Sequence, residues 1–285
     1  MYTAESIVKE SIELISLPDV YIRLRDVISS QNSSMSDVAQ IIAHDPAITA
    51  RLLKLVNSPF FGLAAKVDTM TRAINLLGTQ QVHDLVLATV VVDSFSGFVN
   101  DTFSIYDFWY NSVYCAVTAR FIAYQCGNID TERPFIAGLL HNIGHLLSYQ
   151  IVPTESRASL ELAELKNTPL YLAERELLGF DYAEIGAGLM REWHLPESLQ
   201  HITEFHVEPV KASDFRLETA IIHVSSVISQ LVVAEIAVSP DTLNVDPVCW
   251  ELTGLTVDDM ADIKKEMDQQ TSMVMNMLFT HTKSA

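Results

Sequence analysis

The sequence predicts an all-α protein, and three observations carry that prediction. Alternation of apolar and polar residues at period two is nearly absent, whereas apolar spacings of three and four recur along the 285 residues. Acceptor side chains or prolines open most of the periodic stretches, and glycine, asparagine or proline closes many of them. The apolar content of 49% is ample for a packed core and too high for a disordered chain.

Taken in order, residues 4–16 form a first helix, with Ile7, Ile12, Leu14 and Ile15 available for its apolar stripe. Pro18 ends it and opens a second helix that runs to about Ser29. A polar loop at 31–36 follows, and Ser36 or Asp37 caps a short helix through Ala43. Asp45-Pro46 is a strong start signal, an acceptor at the cap and a proline at the first helical position. The helix it opens carries Ile48, Leu52, Leu55 and Val56 and stops at Asn57-Ser58-Pro59. Thr69 or Thr71 starts a helix ending at Gly78, a residue suited to a left-handed cap. A long, mostly apolar helix covers 80–95.

The stretch 96–102 holds a glycine, an Asn-Asp pair and little periodicity, so a boundary is placed there. It divides an amino-terminal helical lobe of residues 1–98 from a second helical lobe of residues 99–285. Helices follow at 105–126, 131–150, 155–166, 170–178, 183–194, 197–205 and 214–237, punctuated by Pro153, Pro169, Gly179 and Pro196. Residues 239–247 read as a loop, and 257–279 as a last amphipathic helix. The Met-rich end of that helix reads as core filling rather than as a cofactor or partner surface.

Charge and cysteine usage narrow the function classes. The net charge of −18 opposes direct contact with phosphate backbones or anionic membranes. It is uneven: residues 1–100 carry 7 Lys and Arg against 10 Asp and Glu, a net of −3, and residues 101–285 carry 11 against 26, a net of −15. Cys115, Cys126 and Cys249 form no CxxC pair and are odd in number, which suits a reduced, cytoplasmic protein. The amino end lacks a signal peptide's apolar core, and no window reads as the ~18 apolar residues of a membrane span. There is no glycine-rich phosphate loop and no nucleophile motif. Arg51, Lys54, Lys66 and Arg72 against Asp68 make a small positive patch that reads as ordinary surface charge. Glu161, Glu164, Glu174 and Glu176 read as a solvated helical face rather than as acid–base pairs.

The chemistry concentrates at 135–147, FIAGLLHNIGHLL, read as one helix whose apolar surface holds His141, Asn142 and His145. The two histidines, four apart, share a face. An imidazole and a carboxamide in that setting need hydrogen-bond partners. A His followed by a carboxylate on such a helix suits a divalent metal, but an amide oxygen carries no charge, so this stretch has the form of a metal site without its carboxylate. The plain alternative is a satisfied polar pair in the core.

These residues, with SLPDV, IIAHDPAITARLLKLVNSPFFG, RAINLLG and FWYNSVYCAVTARFIA in this order, resemble the HDOD family, the HD-related output domains of bacterial signalling proteins, from Leu17 to about Ser229. The resemblance implies a helical lobe packed on an HD-like helical lobe. Active HD-type relatives hold metal with a His, the HD pair and a later Asp. Carried over, these fall at Asn111, at His141-Asn142 and near Ser226. One such ligand remains, which implies no cofactor and a non-catalytic output module working through contacts with other signalling proteins. The candidate pocket is Asn111, His141, Asn142, His145 and Ser226. Asp45, Pro46, Asn57 and Ser58 form a candidate structural or partner motif. The rival readings are a metal-dependent phosphohydrolase of nucleotides or cyclic dinucleotides, using other histidines among His194, His201, His206 and His223, and a nucleotide sensor that keeps the pocket without catalysis.

Overall fold

The computed structural model describes residues 2–15, 17–30, 34–63, 65–95, 104–127 and 130–279. Among them every regular element is helical. By contact the chain groups into two compact units, residues 1–15 with 99–268 and residues 16–98 with 269–285. This grouping differs from a single cut after residue 98. The first helix belongs with the later unit because it packs on helices of that unit, with Val8 Cγ2 directly over Gly188. The expected boundary stretch 96–102 lies outside the described residues.

The smaller unit contains α2 (Asp19–Ser29), α3 (Met35–Ala43), α4 (Pro46–Val56), α5 (Met70–Leu77) and α6 (Thr79–Ser94). α6 is buried nearly all round through Val82, Leu85, Val86, Leu87, Val90 and Val91, and α2, α4 and α5 pack against it. The α3 cap is Ser34, not Ser36 or Asp37. Its hydroxyl accepts the Asp37 amide while Asp37 accepts the Ser34 amide, a reciprocal box. Gly78 closes α5 at φ 94°, ψ 160°, a positive-φ extended conformation rather than the left-handed helical one expected. The expected positive patch is partly neutralised within this unit: Arg51 pairs with Asp93, Arg72 lies 4.0 Å from Asp68, and Lys54 Nζ donates to the Asn276 carbonyl.

The larger unit contains α1 (Ala4–Leu14), α7 (Ile105–Gln125), α8 (Glu132–Leu140), α9 (Ile143–Ile151), α10 (Pro153–Lys166), α11 (Leu170–Leu178), α12 (Tyr182–Glu192), α13 (Glu197–Phe205), α14 (Arg216–Val233) and α15 (Pro247–Thr253). A 3-10 turn, Pro209–Lys211, lies between α13 and α14. The final helix, α16 (Asp259–Leu278), has residues in both groups. α7 is the centre of this unit, packed between α8 and α14. Met267 and Met275 of α16 are buried, consistent with core filling.

Three expectations are corrected in this unit. The helix expected over 131–150 is two helices, α8 and α9, separated by a turn at His141-Asn142. The segment read as a loop is followed by an unexpected helix, α15, opened by Asp246, whose carboxylate accepts the Val248 amide at 3.0 Å. By length and composition alone, α14 passes for a membrane span, although no such window was expected. It is a core helix: 56% of that window is buried, and α7, α8, α13 and α15 pack around it.

Candidate functional site

Two glycines explain why the chain turns at His141-Asn142. A Cβ on Gly138 would lie 2.7 Å from Ala116 Cα, so α8 presses its backbone onto α7. A Cβ on Gly144 would lie 1.9 Å from the Tyr182 carbonyl oxygen, so α9 presses its backbone onto α12. The turn lets each segment seat on its own partner. Asn142 adopts φ −106°, ψ 11°, in the bridge region. The Gly138 carbonyl, near the end of α8, accepts a hydrogen bond from His141 Nδ1 at 2.7 Å.

That bond fixes the tautomer of His141: Nδ1 carries the proton, and Nε2 is the basic nitrogen. The ring is 1% exposed and meets His206 edge-on at 5.1 Å between centroids. Burial holds the His141 pKa down at about 4, so the ring is neutral. His206 repeats the pattern. Its Nδ1 donates to the Thr203 carbonyl at 2.7 Å, and its Nε2 accepts from the Tyr182 hydroxyl at 3.0 Å. Burial pushes its pKa well below the ordinary imidazole value. His223 is used likewise, donating through Nδ1 to the His206 carbonyl and accepting the Asp246 amide at Nε2.

Asn142 is satisfied at both ends. Its Oδ1 accepts from the Ser112 hydroxyl at 2.9 Å, and its Nδ2 donates to Asn111 Oδ1 at 3.2 Å. Asn111 and Asn142 are therefore brought together as a hydrogen-bonded pair across α7 and the α8–α9 turn. Ser226 is buried, but its hydroxyl accepts from Gln230 Nε2 and its carbonyl from the Ser229 hydroxyl. These bonds do not run to Asn111 or Asn142.

His145 projects from α9 and stacks on Tyr182 at 3.7 Å. Its Nδ1 is buried without a hydrogen-bond partner, 3.8 Å from Glu174 Oε1. Glu174 was expected on a solvated face, yet it is 3% exposed. Burial raises its pKa to about 8, and burial together with nearby His141 lowers that of His145 to about 3. The distance is within ion-pair reach, but burial opposes charge on both groups, so this is a contact between two neutral side chains.

The remaining candidates have structural uses. Asp45 Oδ1 accepts the amides of Ala47 and Ile48 at 2.9 and 3.0 Å, with Pro46 at the first helical position. At the far end of α4, Asn57 clamps the returning chain: its Nδ2 donates to the Leu53 and Val67 carbonyls, and its Oδ1 accepts the Val67 amide at 2.7 Å. Ser58 is buried, and its hydroxyl has no hydrogen-bond partner. His194, at φ 53°, is exposed just beyond α12, so it serves the helix end through its backbone. His201 Nε2 accepts the Asp214 amide. The Asn142 amide is bonded on both sides and carries no charge, and among the described residues no three His, Cys, Asp or Glu side chains are placed to hold an ion, so a metal does not fit these side chains.

Of the histidines named as possible neighbours of His141, His206 meets it edge-on. Sequence reading missed Ser112, Glu174 and Tyr182 as members of this cluster. Ser112 left a signal, a hydroxyl inside the nearly continuous apolar run of α7. The other two reach the site from α11 and α12, and nothing in their local pattern marks that.

An all-helical unit with a buried His-Asn turn at its centre has the form of an HD-related output domain. The HDOD domain family matches residues 14–209, and the chain belongs to that family. Among solved structures, an HDOD domain protein with unknown function from Geobacter sulfurreducens has a TM-score of 0.72 at 20% identity, covering 96% of this chain and 98% of that one. A protein from Shewanella amazonensis SB2B, called "Putative phosphohydrolase", has a TM-score of 0.71 at 27% identity, covering 95% and 96%. A protein of Treponema pallidum (strain Nichols), called "Uncharacterized protein", is 26% identical over 204 residues, 71% of this chain. The match spans only 39% of the length of that relative.

Proposed function

We propose that this HDOD protein is a non-catalytic signalling module that works through contacts with other signalling proteins. The observation that carries the reading is Asn142. Where an HD-type hydrolase would offer a carboxylate to a metal, this chain has a carboxamide bonded to Ser112 and Asn111. Metal-assisted activation of water needs a cation held by several protein ligands. Here the His206 Nε2 is taken by the Tyr182 hydroxyl, and the Asn142 carboxamide brings no charge beside His141. The cluster then acts as a polar plug that registers α7, the α8–α9 turn, α12 and α13. The net charge of −18 favours protein partners over nucleic acid or anionic membrane. A reduced, cytoplasmic setting is part of the same reading and is supported by three free cysteines, two of them buried.

The name of the Shewanella relative favours the rival class, a phosphohydrolase, here taken as a metal-dependent one. Metal analysis of protein purified without chelator or affinity tag separates the two. The module should carry less than stoichiometric Mn, Fe, Ni or Zn. A tightly bound dinuclear centre that is lost in a His141→Ala variant would overturn the non-catalytic reading.

A further inference from the structure

Of the nine residues of α11, the buried ones are Ala173 and Glu174. Leu170, Tyr171 and Leu178 are half-buried, with Tyr171 packed on Tyr182 and Ala183, and α10 lies along the helix. The fully buried polar group that α11 turns toward α9 and α12 is the Glu174 carboxyl. The carboxyl makes one hydrogen bond, accepting the Tyr182 amide at Oε2 at 2.9 Å. Its Oε1 faces His145 Nδ1 across 3.8 Å, with no bond between them. Both ends of α11 carry turn residues: Asn167 at φ 48° with Pro169 before it, and Gly179 at φ 86° after it.

We propose that Glu174 is protonated in the folded protein at neutral pH, and that loss of this proton unlatches α11 from α9 and α12. Arg175 favours the charged form through space, but its guanidinium bonds other carboxylates. From α9 the Glu174 carboxylate faces His145 and Tyr149, and His145 is kept neutral by burial and by nearby His141. From the start of α12 it faces Tyr182 and Asp181, a second acid. The neighbouring cation on α11, Arg175, is committed to Asp181 at 2.7 Å and to Glu184 and Glu208, with its guanidinium also over the Tyr171 ring. The start of α12 favours negative charge there, but burial outweighs it and holds the Glu174 pKa near 8. Above that pH, the charge reaches water most simply by releasing the helix.

Hydrogen exchange across residues 168–181 of the intact chain tests this, with the core amides of α7 as the reference for base-catalysed acceleration. Wild type should lose protection in α11 relative to α7 as pH rises through about 8. Glu174→Gln, which keeps an oxygen for the Tyr182 amide and cannot ionise, should hold its protection. Equal behaviour of the two proteins, whether both open or neither does, would overturn the latch. Carbon-13 NMR of glutamate carboxyls in wild type gives an answer even if the variant misfolds. One carboxyl titrating several units above the others is expected, and its absence would overturn the proposal.

Discussion

Asn142 differs from aspartate by an amide group in place of a carboxyl oxygen, and its amide is hydrogen-bonded at both ends. Asn142→Asp would remove the donor that faces Asn111 Oδ1 and put an ionisable group where the residue is 6% exposed. With no cation beside it, the new carboxyl should bind its proton to higher pH in the folded state than in the unfolded chain. The variant should therefore match wild type best in acid and lose relative stability as pH rises through neutrality. Thermal melts across pH measure this. On the non-catalytic reading, added Mn²⁺ should leave its melting temperature unchanged, because Asn111 beside it offers only a neutral amide. A melting temperature that climbs with the logarithm of Mn²⁺ would show that a metal cavity persists.

The helices were legible where their ends carry chemistry, and the two that were misread show why. Asp45-Pro46 was read as a start and caps α4 as expected. Asp246-Pro247 is the same signal and opens α15, but the short apolar stretch behind it hid the helix. Asp45→Ala should cost about 1 kcal/mol, the usual loss for a cap, read from a urea titration. An unchanged midpoint would mean that the carboxylate does not hold the helix end. The break between α8 and α9 was not legible, because its causes are Ala116 and Tyr182, 22 residues before Gly138 and 38 after Gly144. Gly144→Ala places a methyl inside contact distance of backbone on α12, which cannot step aside as a flexible side chain would. Overpacking of this kind costs about 1–3 kcal/mol or more. A Gly144→Ala protein that melts with wild type would refute the close approach of α9 to α12.

Across the whole molecule, buried ionisable groups set opposite slopes of stability against pH. His141 is held at about 4 in the fold and has an ordinary value of 6.5. The unfolded chain therefore binds more protons between those limits, and stability present above pH 6.5 is lost as pH falls toward about 4. The contribution is on the order of 3 kcal/mol for this ring. Glu174 acts the other way: the folded state holds its proton from 4.5 up to about 8, so stability declines as pH rises through that window. Between pH 6.5 and 4 a His141→Gln protein should lose less stability on acidification than wild type, and Glu174→Gln should gain on wild type as pH approaches about 8. Equal acid slopes of the urea midpoint in His141→Gln and wild type would mean that His141 is not buried as described.

The sequence by itself determined the all-helical class and most helix positions, and it singled out His141 and Asn142 as polar groups in an apolar stretch, because period, caps and polar interruptions are written in residues a few positions apart. It also determined the family, through motifs whose order survives in one dimension. Tertiary structure alone decided that Ser112 and Asn111 answer the Asn142 carboxamide. It alone decided that Glu174 lies buried beside His145, and that the first helix groups with the later unit. Each of these depends on segments tens of residues apart meeting through close backbone packing, as at Gly138 and Gly144. Local periodicity cannot distinguish a carboxylate that faces water from one that a distant helix covers.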